Sequence, residues 1–382
     1  MEQNKKGILI LTPFFSPNIG GVETHLDNLV SILDEKGYRI FVQTYSPLTT
    51  QNTSWKKHER LGNSVQINRH RWVGKNLFHK LENYPVLDFF YLTPYLLARS
   101  FFFMTANSKK IDIIHAQGIN AGAVGVALKK IFKKRLVISL HAVYPQIGTK
   151  KLVRQAMWLI LKKAEVVLGM SNAVINQFAQ LETGKNNLKK YRYWIDIQKF
   201  KPMHQKEARS KTGIDNHFTV LFVGRLIPIK GIKLLTDIAK ELTHIQFVFI
   251  GNGPLEDTLE HSSREFPNLH FLGQVQNSEM PIYYNSADVF CIPSLYEEGL
   301  GRVVMESVAC GTPVVGSKRG GIPEALDDKI SLLVEPTHKN FRDAIEVLHN
   351  DKNRLKRMRS FCREYALKHY SKQNADLITK YY

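Results

Sequence analysis

The chain alternates short apolar runs with helical segments, and this alternation constrains its fold more than any other feature. GILILT at residues 7–12 is followed by a loop containing Pro and Gly, a helical pattern from Val22 to Lys36, and the run YRIFVQTY. Further strands are predicted at IDIIHA, RLVISLHA and EVVLGMS, with helices between them. A strand–helix–strand series of this kind is typical of a doubly wound parallel sheet. Residues 50–84 are polar and are predicted to form an irregular insertion or a loop-rich face.

The same alternation then starts again near Asp196, close to the basic connector KFKPMHQKEARSKTG. The runs FTVLFVGRL, IQFVFIGNG, LHFLG, DVFCIPS and TPVVGS are the predicted strands of this second series. A chain of 382 residues exceeds one hydrophobic core. We therefore predict an α/β protein of two Rossmann-like domains, residues 1–195 and 196–365, facing each other across a cleft. Residues 366–382 are predicted to form a helix packing back on the first domain.

The segment from Pro293 to Gly321 carries the most specific chemistry of the chain. It has the pattern of a strand end, an acidic Gly-rich loop, a short helix, a second strand and a Gly-Gly turn. Gly299 and Gly301 allow the loop backbone to bend tightly, and a loop that leads into a helix N-terminus binds anions. Glu298 and Glu306 add carboxylates, which accept hydrogen bonds from diols. Phosphate and hydroxyl recognition together suit a nucleotide-sugar.

These two glutamates could instead be solvated helix charges, which is the usual fate of Glu. The residues around them are apolar, so the helix is predicted to be buried, and a buried carboxylate needs partners. A ligand or a structural arginine could supply those partners. Glu297 directly precedes Glu298 and could take its role.

Two further loops are candidate phosphate sites. In PNIGG, Gly20 and Gly21 precede the first helix and either admit a phosphate or form a simple tight turn, since no full GxGxxG pattern is present. In VGRLIPIKG, Arg225 offers a planar fork for phosphate oxygens and Lys230 a mobile positive charge. Isolated basic residues are usually solvated. The position of this pair at a strand end, between two glycines, favours phosphate binding.

The histidines and cysteines are considered as contacts to the ligand and as metal ligands. His141 ends the run RLVISLHA and is a candidate contact to a sugar or phosphate, whereas His115 is interpreted as a structural residue. The sequence has neither HExxH, nor a closely spaced His pair, nor Asp-x-Asp, so no protein-bound metal is expected. The three cysteines have no metal-like spacing and indicate a reducing compartment.

The net charge of +19 implies a polyanionic neighbour. No acidic residue lies between Asp112 and Glu165, and apolar residues are interspersed among the charges there, which fits docking on an anionic leaflet as well as a solvated face. No nucleic-acid-binding module accompanies the charge, so nucleic acid is not an expected partner. Ten basic residues occupy this stretch: Lys129, Lys130, Lys133, Lys134, Arg135, Lys150, Lys151, Arg154, Lys162 and Lys163.

The apolar segment from Pro85 to Met104 is interrupted by Asp88, Pro94 and Arg99. Charges at membrane depth cost ~2.5–3.5 kcal/mol each. We therefore predict a buried or interfacial helix pair here, not a membrane span. The apolar run at the N-terminus is too short for a signal peptide.

With these motifs identified, the chain resembles the retaining nucleotide-sugar glycosyltransferases of family 4, which have the GT-B fold. The resemblance covers nearly the whole length and lies in PNIGGVETHLDNL, VGRLIPIKG, PSLYEEGLGRVVMESVACGTPVV and KRGGIPE. The sequence departs from the family pattern in three places. Leu300 replaces the usual Phe, Ser307 a common Ala, and residues 193–196 read YWID where Asn-Gly-Val-Asp is common.

The resemblance implies roles for the residues of the second half. Arg225 and Lys230 would hold the diphosphate of the donor. Glu306 would bind the ribose hydroxyls, and Glu298 the donor sugar.

The resemblance also implies backbone contacts. Amides around Gly299, Leu300 and Gly301 would meet the sugar or the distal phosphate, and the glycine loop at Gly20 and Gly21 would border the donor. His141 would contact the sugar from the first domain.

The implied reaction is transfer of a hexosyl unit from a UDP- or GDP-type donor to an acceptor hydroxyl, with retention and without a metal cofactor. The acceptor would be a glycan or a lipid-linked precursor of a surface polysaccharide, and the enzyme would be cytoplasmic and peripheral at the inner face of the membrane. Two alternatives stay open. One is another GT-B enzyme, a nucleotide-sugar epimerase or a phosphorylase, and the other is a non-catalytic, membrane-docked interaction protein.

Overall fold

The computed structural model describes residues 6–50, 53–74, 77–81, 84–144, 151–179 and 187–382. The chain divides into two compact units, Met1–Arg192 with Gln373–Tyr382, and Tyr193–Lys372. The segment predicted to begin at residue 366 is therefore divided between them. Its first residues, through Lys372, belong to the second unit, and only Gln373–Tyr382 belongs to the first.

The first unit contains one mostly parallel sheet. Its described strands are β1 Gly7–Leu11, β2 Arg39–Tyr45, β3 His58–Leu61, β4 Val65–His70, β5 Ile113–Gln117, β6 Arg135–Leu140, β7 Val166–Gly169 and β8 Leu188–Lys190. Their order is β3-β4-β2-β1-β5-β6-β7-β8, and only β3 runs antiparallel to its neighbour. All five residues of the central strand β1 are buried, because helices cover both faces of such a sheet.

The described helices of the first unit are α1 Gly21–Glu35, α2 Leu77–Leu81, α3 Pro85–Asn107, α4 Gly118–Phe132, α5 Lys151–Leu161 and α6 Asn172–Ala179. α3 packs against β2 and α4, and α4 packs against α5. These three helices therefore lie side by side.

The second unit contains a wholly parallel sheet. Its strands are β9 Thr219–Val223, β10 Gln246–Ile250, β11 Leu269–Phe271, β12 Val289–Ile292, β13 Val314–Ser317 and β14 Ser331–Val334, in the order β11-β10-β9-β12-β13-β14. Its helices are α7 Gln205–Thr212, α8 Ile232–Glu241, α9 Glu256–Glu265, α10 Met280–Ser286, α11 Arg302–Ala309, α12 Ile322–Ala325, α13 His338–Asn350 and α14 Lys352–His369. β8 and β14 are strands that the sequence patterns did not predict.

The expectation of an irregular insertion at residues 50–84 is wrong for much of the described part. β3 and β4 form an antiparallel pair, and β4 joins the sheet parallel to β2. The polar composition was misleading because β4 buries polar side chains that find partners. Arg69 donates to the Glu59 carboxylate at 2.7 Å and to the Ser16 carbonyl at 2.8 Å, and His70 hydrogen-bonds with Gln43 at 2.8 Å.

The predicted helix pair at Pro85–Met104 is also wrong, because α3 is one continuous helix with Pro94 inside it. A proline removes one backbone hydrogen bond and crowds the preceding turn. Here Pro94 is exposed, while Leu92, Leu96 and Met104 are buried, so packing of the inner side outweighs the local loss. In the part of the chain that the structure describes, no helix combines the length and apolar character needed to cross a membrane.

The last residues of the chain, which include the short helix α15 Asp376–Thr379, are held within the first unit by polar contacts. Lys36 pairs with Asp376 at 2.6 Å, and the Tyr382 hydroxyl hydrogen-bonds with Nδ1 of His115 at 2.5 Å. Nε2 of His115 hydrogen-bonds with Ser139 at 2.7 Å. Burial, reinforced by His141, lowers the pKa of His115 to about 3. His115 is thus a buried, neutral structural residue.

Candidate functional site

Two loops at the carboxyl ends of adjacent strands form the candidate site of the second unit. The basic loop, residues 224–231, follows β9, and the acidic loop, residues 293–301, follows β12. The amide of Leu295 donates to the carbonyl of Ile229 at 2.8 Å, which joins the loops directly. Gly231 has φ 76°, and a Cβ there would collide with the Pro293 carbonyl. Only glycine allows this approach.

Lys230 and Glu298 form a buried ion pair where these loops meet. The Lys230 Nζ lies 2.5 Å from Oε1 of Glu298, and the two side chains are 16% and 8% exposed. Ser294 donates to the same oxygen at 2.6 Å, and the Tyr296 hydroxyl donates to Oε2 at 2.8 Å. Glu298 is thus enclosed by three donors.

The protonation of this pair follows from its surroundings. Burial alone would raise the pKa of Glu298, but Lys230, Ser294 and Tyr296 together lower it below its ordinary value. Burial alone would lower the pKa of Lys230, but Glu298 and Tyr296 together raise it. Both groups are therefore charged at neutral pH. Burial is the main cause that raises the pKa of Tyr296, which stays a hydrogen-bond donor.

The Gly-Gly turn at Gly320 and Gly321 supports the acidic loop from behind. Gly321 donates to the carbonyl of Glu298 at 2.8 Å, and Gly320 donates to the Glu297 carboxylate. Gly320 has φ 54°, and a Cβ there would collide with the backbone of Glu298. Glu297 is exposed and Glu298 is 6% exposed, so Glu298 is the carboxylate inside the site.

Glu306, the second glutamate, lies on α11 and is 4% exposed. Its carboxylate accepts from Arg302 Nε at 2.9 Å and from the Tyr284 hydroxyl at 3.0 Å. A structural arginine therefore supplies one of its partners, which is one of the two possibilities that the sequence left open. A carboxylate has about four lone-pair positions, so further donors can still be accepted.

The acidic loop leads directly into α11. Gly301 adopts φ 74° at the residue before the helix, and Arg302 is the first helical residue. Leu300 is 7% exposed, so its side chain packs inside. Any ligand contact at Gly299, Leu300 or Gly301 is therefore a backbone contact, and free amides at a helix start favour anions.

The basic loop rests on the turn after β10. A Cβ at Gly251 would collide with the Gly224 carbonyl, and Leu226 donates to the carbonyl of Asn252 at 2.8 Å. The GNGP segment is thus a strand-to-helix turn, and it also supports the basic loop. Arg225 is exposed on this loop.

The first unit has a polar group at the carboxyl ends of β5 and β6. Nε2 of His141 lies 2.7 Å from the amide oxygen of Gln117, and Nδ1 lies 3.5 Å from the Tyr191 hydroxyl. The ring of His25, on α1, is 5.8 Å from that of His141. Burial lowers the pKa of His141 to about 3. Because an amide oxygen only accepts, the neutral ring carries its proton on Nε2.

The glycine loop of the first unit fits a phosphate less well. Gly20 has an extended backbone at the start of α1, and a Cβ there would collide with the Glu23 carboxylate. Gly21 is the first residue of α1. A carboxylate at this helix start disfavours an anion by charge repulsion.

Several residues of these clusters were missed by sequence reasoning. Arg302 could have been found, because positions four apart on one helix are neighbours and Arg302 precedes Glu306 by that interval. Gln117 could have been found as a polar strand end. Tyr284 and Tyr296 carry no comparable signal, since nothing local distinguishes them from core aromatic residues.

Metal coordination is not evident in this arrangement. Within the described ranges, no group of three or more His, Cys, Asp or Glu side chains could hold a metal ion. Metal independence stays a prediction.

Comparison with known proteins agrees with this geometry. The family model described as Glycosyltransferase Family 4 matches residues 19–187, and the one described as Glycosyl transferases group 1 matches residues 204–366. A GDP-mannose-dependent alpha-(1-6)-phosphatidylinositol monomannoside mannosyltransferase of Mycolicibacterium smegmatis is 25% identical over 86% of this chain and 85% of the relative. Sulfoquinovosyl transferase of Arabidopsis thaliana is 31% identical, over 57% of this chain and 45% of the relative.

Solved structures show the fold. Sucrose-phosphate synthase from Thermosynechococcus elongatus superposes with a TM-score of 0.83 at 20% identity, covering 98% of both chains. Anabaena HepE in complex with UDP-glucose gives 0.77 at 19% identity, covering 98% of this chain and 99% of the other. The protein is thus a two-unit α/β protein of the GT-B class. The two family models span most of the sequence between them, and the chain belongs to the family 4 glycosyltransferases.

Proposed function

We propose that this protein is a retaining glycosyltransferase that moves a hexosyl unit from a UDP- or GDP-type nucleotide-sugar to an acceptor hydroxyl. One observation carries the proposal. Lys230 of the basic loop and Glu298 of the acidic loop meet in one buried cluster at the carboxyl ends of adjacent parallel strands, where ligands of such sheets bind. The UDP-glucose complex of HepE and the GDP-mannose named for the mycobacterial relative support a donor of this class.

The chemistry needs stabilisation of the departing diphosphate. Arg225, Lys230 and the amides before α11 supply fixed positive charge where negative charge develops. Glu298 binds sugar hydroxyls and Glu306 the ribose. His141 hydrogen-bonds a sugar hydroxyl.

In the proposed reaction, the bond between the anomeric carbon and the phosphate oxygen breaks as the acceptor oxygen bonds to that carbon on the same face. The acceptor proton passes to the leaving diphosphate. No metal takes part, because fixed cations already stabilise the leaving group.

Nucleotide-sugars screened with glycan and lipid-linked acceptors test this proposal. We expect acceptor-dependent release of free nucleotide from one donor, and a product that NMR shows to have the anomeric configuration of the donor. An inverted product would contradict retention. Donor isomerisation without acceptor would support an epimerase, phosphate-dependent cleavage a phosphorylase, and binding without turnover a non-catalytic protein.

We further propose that the first unit docks on an anionic membrane at its cytoplasmic face, where a lipid-linked acceptor would be presented. The outward side of α3 carries no charge, and Phe90 and Phe102 are 66% and 68% exposed there. Uncharged surface of this extent is unusual on a helix facing water. The exposed residues of α3 are Val86, Leu87, Phe90, Pro94, Ala98, Phe102, Thr105 and Ala106.

Basic residues lie on and next to the helices of the same layer as α3. α4 packs against α3 and α5 packs against α4, and the exposed apolar residues Ile131, Leu152 and Leu159 lie among their charges. Of the ten basic residues in the stretch, Lys129 is paired with Glu165, and Lys150 lies outside the described residues. The exposed basic residues are Lys130, Lys133, Arg135, Lys151, Arg154 and Lys163. Apolar surface flanked by cations complements an anionic leaflet.

Vesicle co-sedimentation tests this docking. We expect binding to anionic vesicles that weakens at high salt, and loss of binding when Phe90 and Phe102 are both replaced by Ser. Phe361→Ser changes an exposed phenylalanine of α14 in the second unit and is the matched control. Equal binding to anionic and neutral vesicles, or none to either, would contradict the proposal.

A further inference from the structure

We propose that the Lys230–Glu298 ion pair makes the donor site discriminate against bare nucleoside diphosphate in favour of the intact nucleotide-sugar. The inference rests on the proposed function, because it assigns Lys230 to the diphosphate and Glu298 to the sugar. It adds a coupling between those two subsites. The product nucleotide would therefore bind more weakly than its phosphate contacts alone imply.

The coupling follows from how the two charges are arranged. Each is the counter-ion of the other, at 2.5 Å, in a position with little access to water. A phosphate group that draws the Lys230 ammonium group towards itself weakens the hydrogen bond to Glu298. A buried carboxylate that loses its cation is strongly destabilised unless another donor replaces it.

The two ligands differ in whether they bring that replacement. A nucleotide-sugar places sugar hydroxyls near the diphosphate, and these hydroxyls can donate to the vacated positions of Glu298. A bare nucleoside diphosphate brings no such donor. With the nucleotide-sugar bound, sugar hydroxyls replace the hydrogen bond that Glu298 loses from Lys230. With the nucleoside diphosphate bound, nothing replaces it.

Ser294 and Tyr296 keep the carboxylate in place during this exchange. Each donates to a different oxygen of Glu298, at 2.6 and 2.8 Å. Glu298 therefore stays oriented when the ammonium group leaves. These two hydroxyl groups act through Glu298 and are positioning groups.

Calorimetry on the whole protein tests the coupling with UDP, GDP and their glucose and mannose derivatives. Glu298→Gln leaves Lys230 without its counter-ion in the empty site. We expect this variant to bind the bare diphosphate about tenfold more tightly than the wild type does, and to lose most of its preference for the nucleotide-sugar. If Glu298 had only a structural role, Glu298→Gln would weaken the binding of both ligands together.

Glu297→Gln is the matched control, because it removes the same charge from the exposed neighbouring residue. It should leave the preference unchanged. In the Lys230→Met background, adding Glu298→Gln should no longer increase the affinity for bare nucleoside diphosphate, because the coupling acts through Lys230.

The outcomes separate this inference from the proposed function. A wild type that binds nucleotide-sugars, with a Glu298→Gln variant whose affinity for bare diphosphate is unchanged or weaker, overturns the inference alone. That result would mean that Lys230 keeps Glu298 while it binds phosphate. A wild type that binds no nucleotide overturns the proposed function and the inference with it.

Discussion

Two buried glutamates of the second unit obtain their partners in different ways. Glu298 forms an ion pair with Lys230, which lies in a loop 68 residues away in sequence. Glu306 is paired with Arg302, one turn earlier on its own helix. The first pair joins two loops, so a ligand that draws Lys230 away from Glu298 can change it. The second is local to α11 and holds Glu306 in place within the helix.

The first prediction at this scale concerns the two basic side chains that are proposed to bind the diphosphate. Replacing Arg225 and Lys230 together by Ala should weaken nucleoside diphosphate binding at least tenfold with the fold intact, because charge-assisted hydrogen bonds contribute ~1.5–3 kcal/mol each. Calorimetry measures the affinity, and circular dichroism checks the fold. Lys233→Ala is the control, since that side chain is 84% exposed and pairs with Asp237 on the surface. Unchanged affinity in the double variant would rule out the assignment.

The second prediction concerns pH and His115. The pKa of His115 is lowered from 6.5 to about 3 in the folded protein by burial. At pH values between about 3 and 6.5, His115 is protonated in the unfolded chain and neutral in the folded protein. Its burial therefore lowers the free energy of unfolding progressively as the pH falls below 6.5, and has no such effect above that pH. The expected contribution is ~1.4 kcal/mol per pH unit.

Chemical denaturation between pH 4 and 7 measures this slope. His115→Gln should make it shallower, whereas the same change at the exposed His261 should alter it little. An unchanged slope in His115→Gln would show that His115 is not held neutral by burial.

At the scale of elements, the candidate site depends on loops that pack on one another through glycines. The acidic loop lies between the basic loop and the Gly-Gly turn, and both neighbours approach its backbone where only glycine fits. β9, β12 and β13 are hydrogen-bonded neighbours, so the loops that follow them necessarily emerge side by side. The sheet order thus determines which loops can cooperate.

Gly320→Ala tests this packing. A left-handed backbone costs an alanine ~1–2 kcal/mol, and at Gly320 the added Cβ also collides with the backbone of Glu298. We expect a loss of stability and weaker nucleotide binding. Gly213→Ala is the control, because φ there is 72° and no atom lies within 4 Å of the added Cβ. Equal effects of the two variants on thermal unfolding and on affinity would show that the turn does not position the acidic loop.

At the scale of the whole molecule, positive charge dominates. The net charge of +19 favours anionic ligands and surfaces over the entire protein. Only a few of these charges belong to the candidate donor site. Others lie on and next to α4 and α5, in the helix layer that includes α3 with its uncharged outward side, and this combination is why we propose that they meet a membrane surface.

Transfer activity should survive excess EDTA, because in the proposed reaction Arg225, Lys230 and the amides before α11 stabilise the leaving diphosphate without a metal ion. The measurement is nucleotide release with and without chelator, using the donor identified by screening. Complete loss of transfer, restored by magnesium or manganese, would mean that the fixed charges are insufficient.

The sequence by itself determined the two α/β series, most of their strands and the three loop motifs. These features are local, because apolar periodicity and glycine position follow from the backbone geometry of neighbouring residues. It failed for residues 50–84 and for α3, where buried polar partners and packing override composition and a single proline.

Only the tertiary structure decided which charges meet. Two contacts join residues from different elements: Lys230 pairs with Glu298, and Tyr284 donates to Glu306. The same packing turns Glu298 inward and leaves Glu297 exposed. Such partners depend on strand order and on how closely loops approach, which no local pattern encodes. The physical reason is that a buried charge takes whichever donor the packed backbone brings within hydrogen-bonding distance.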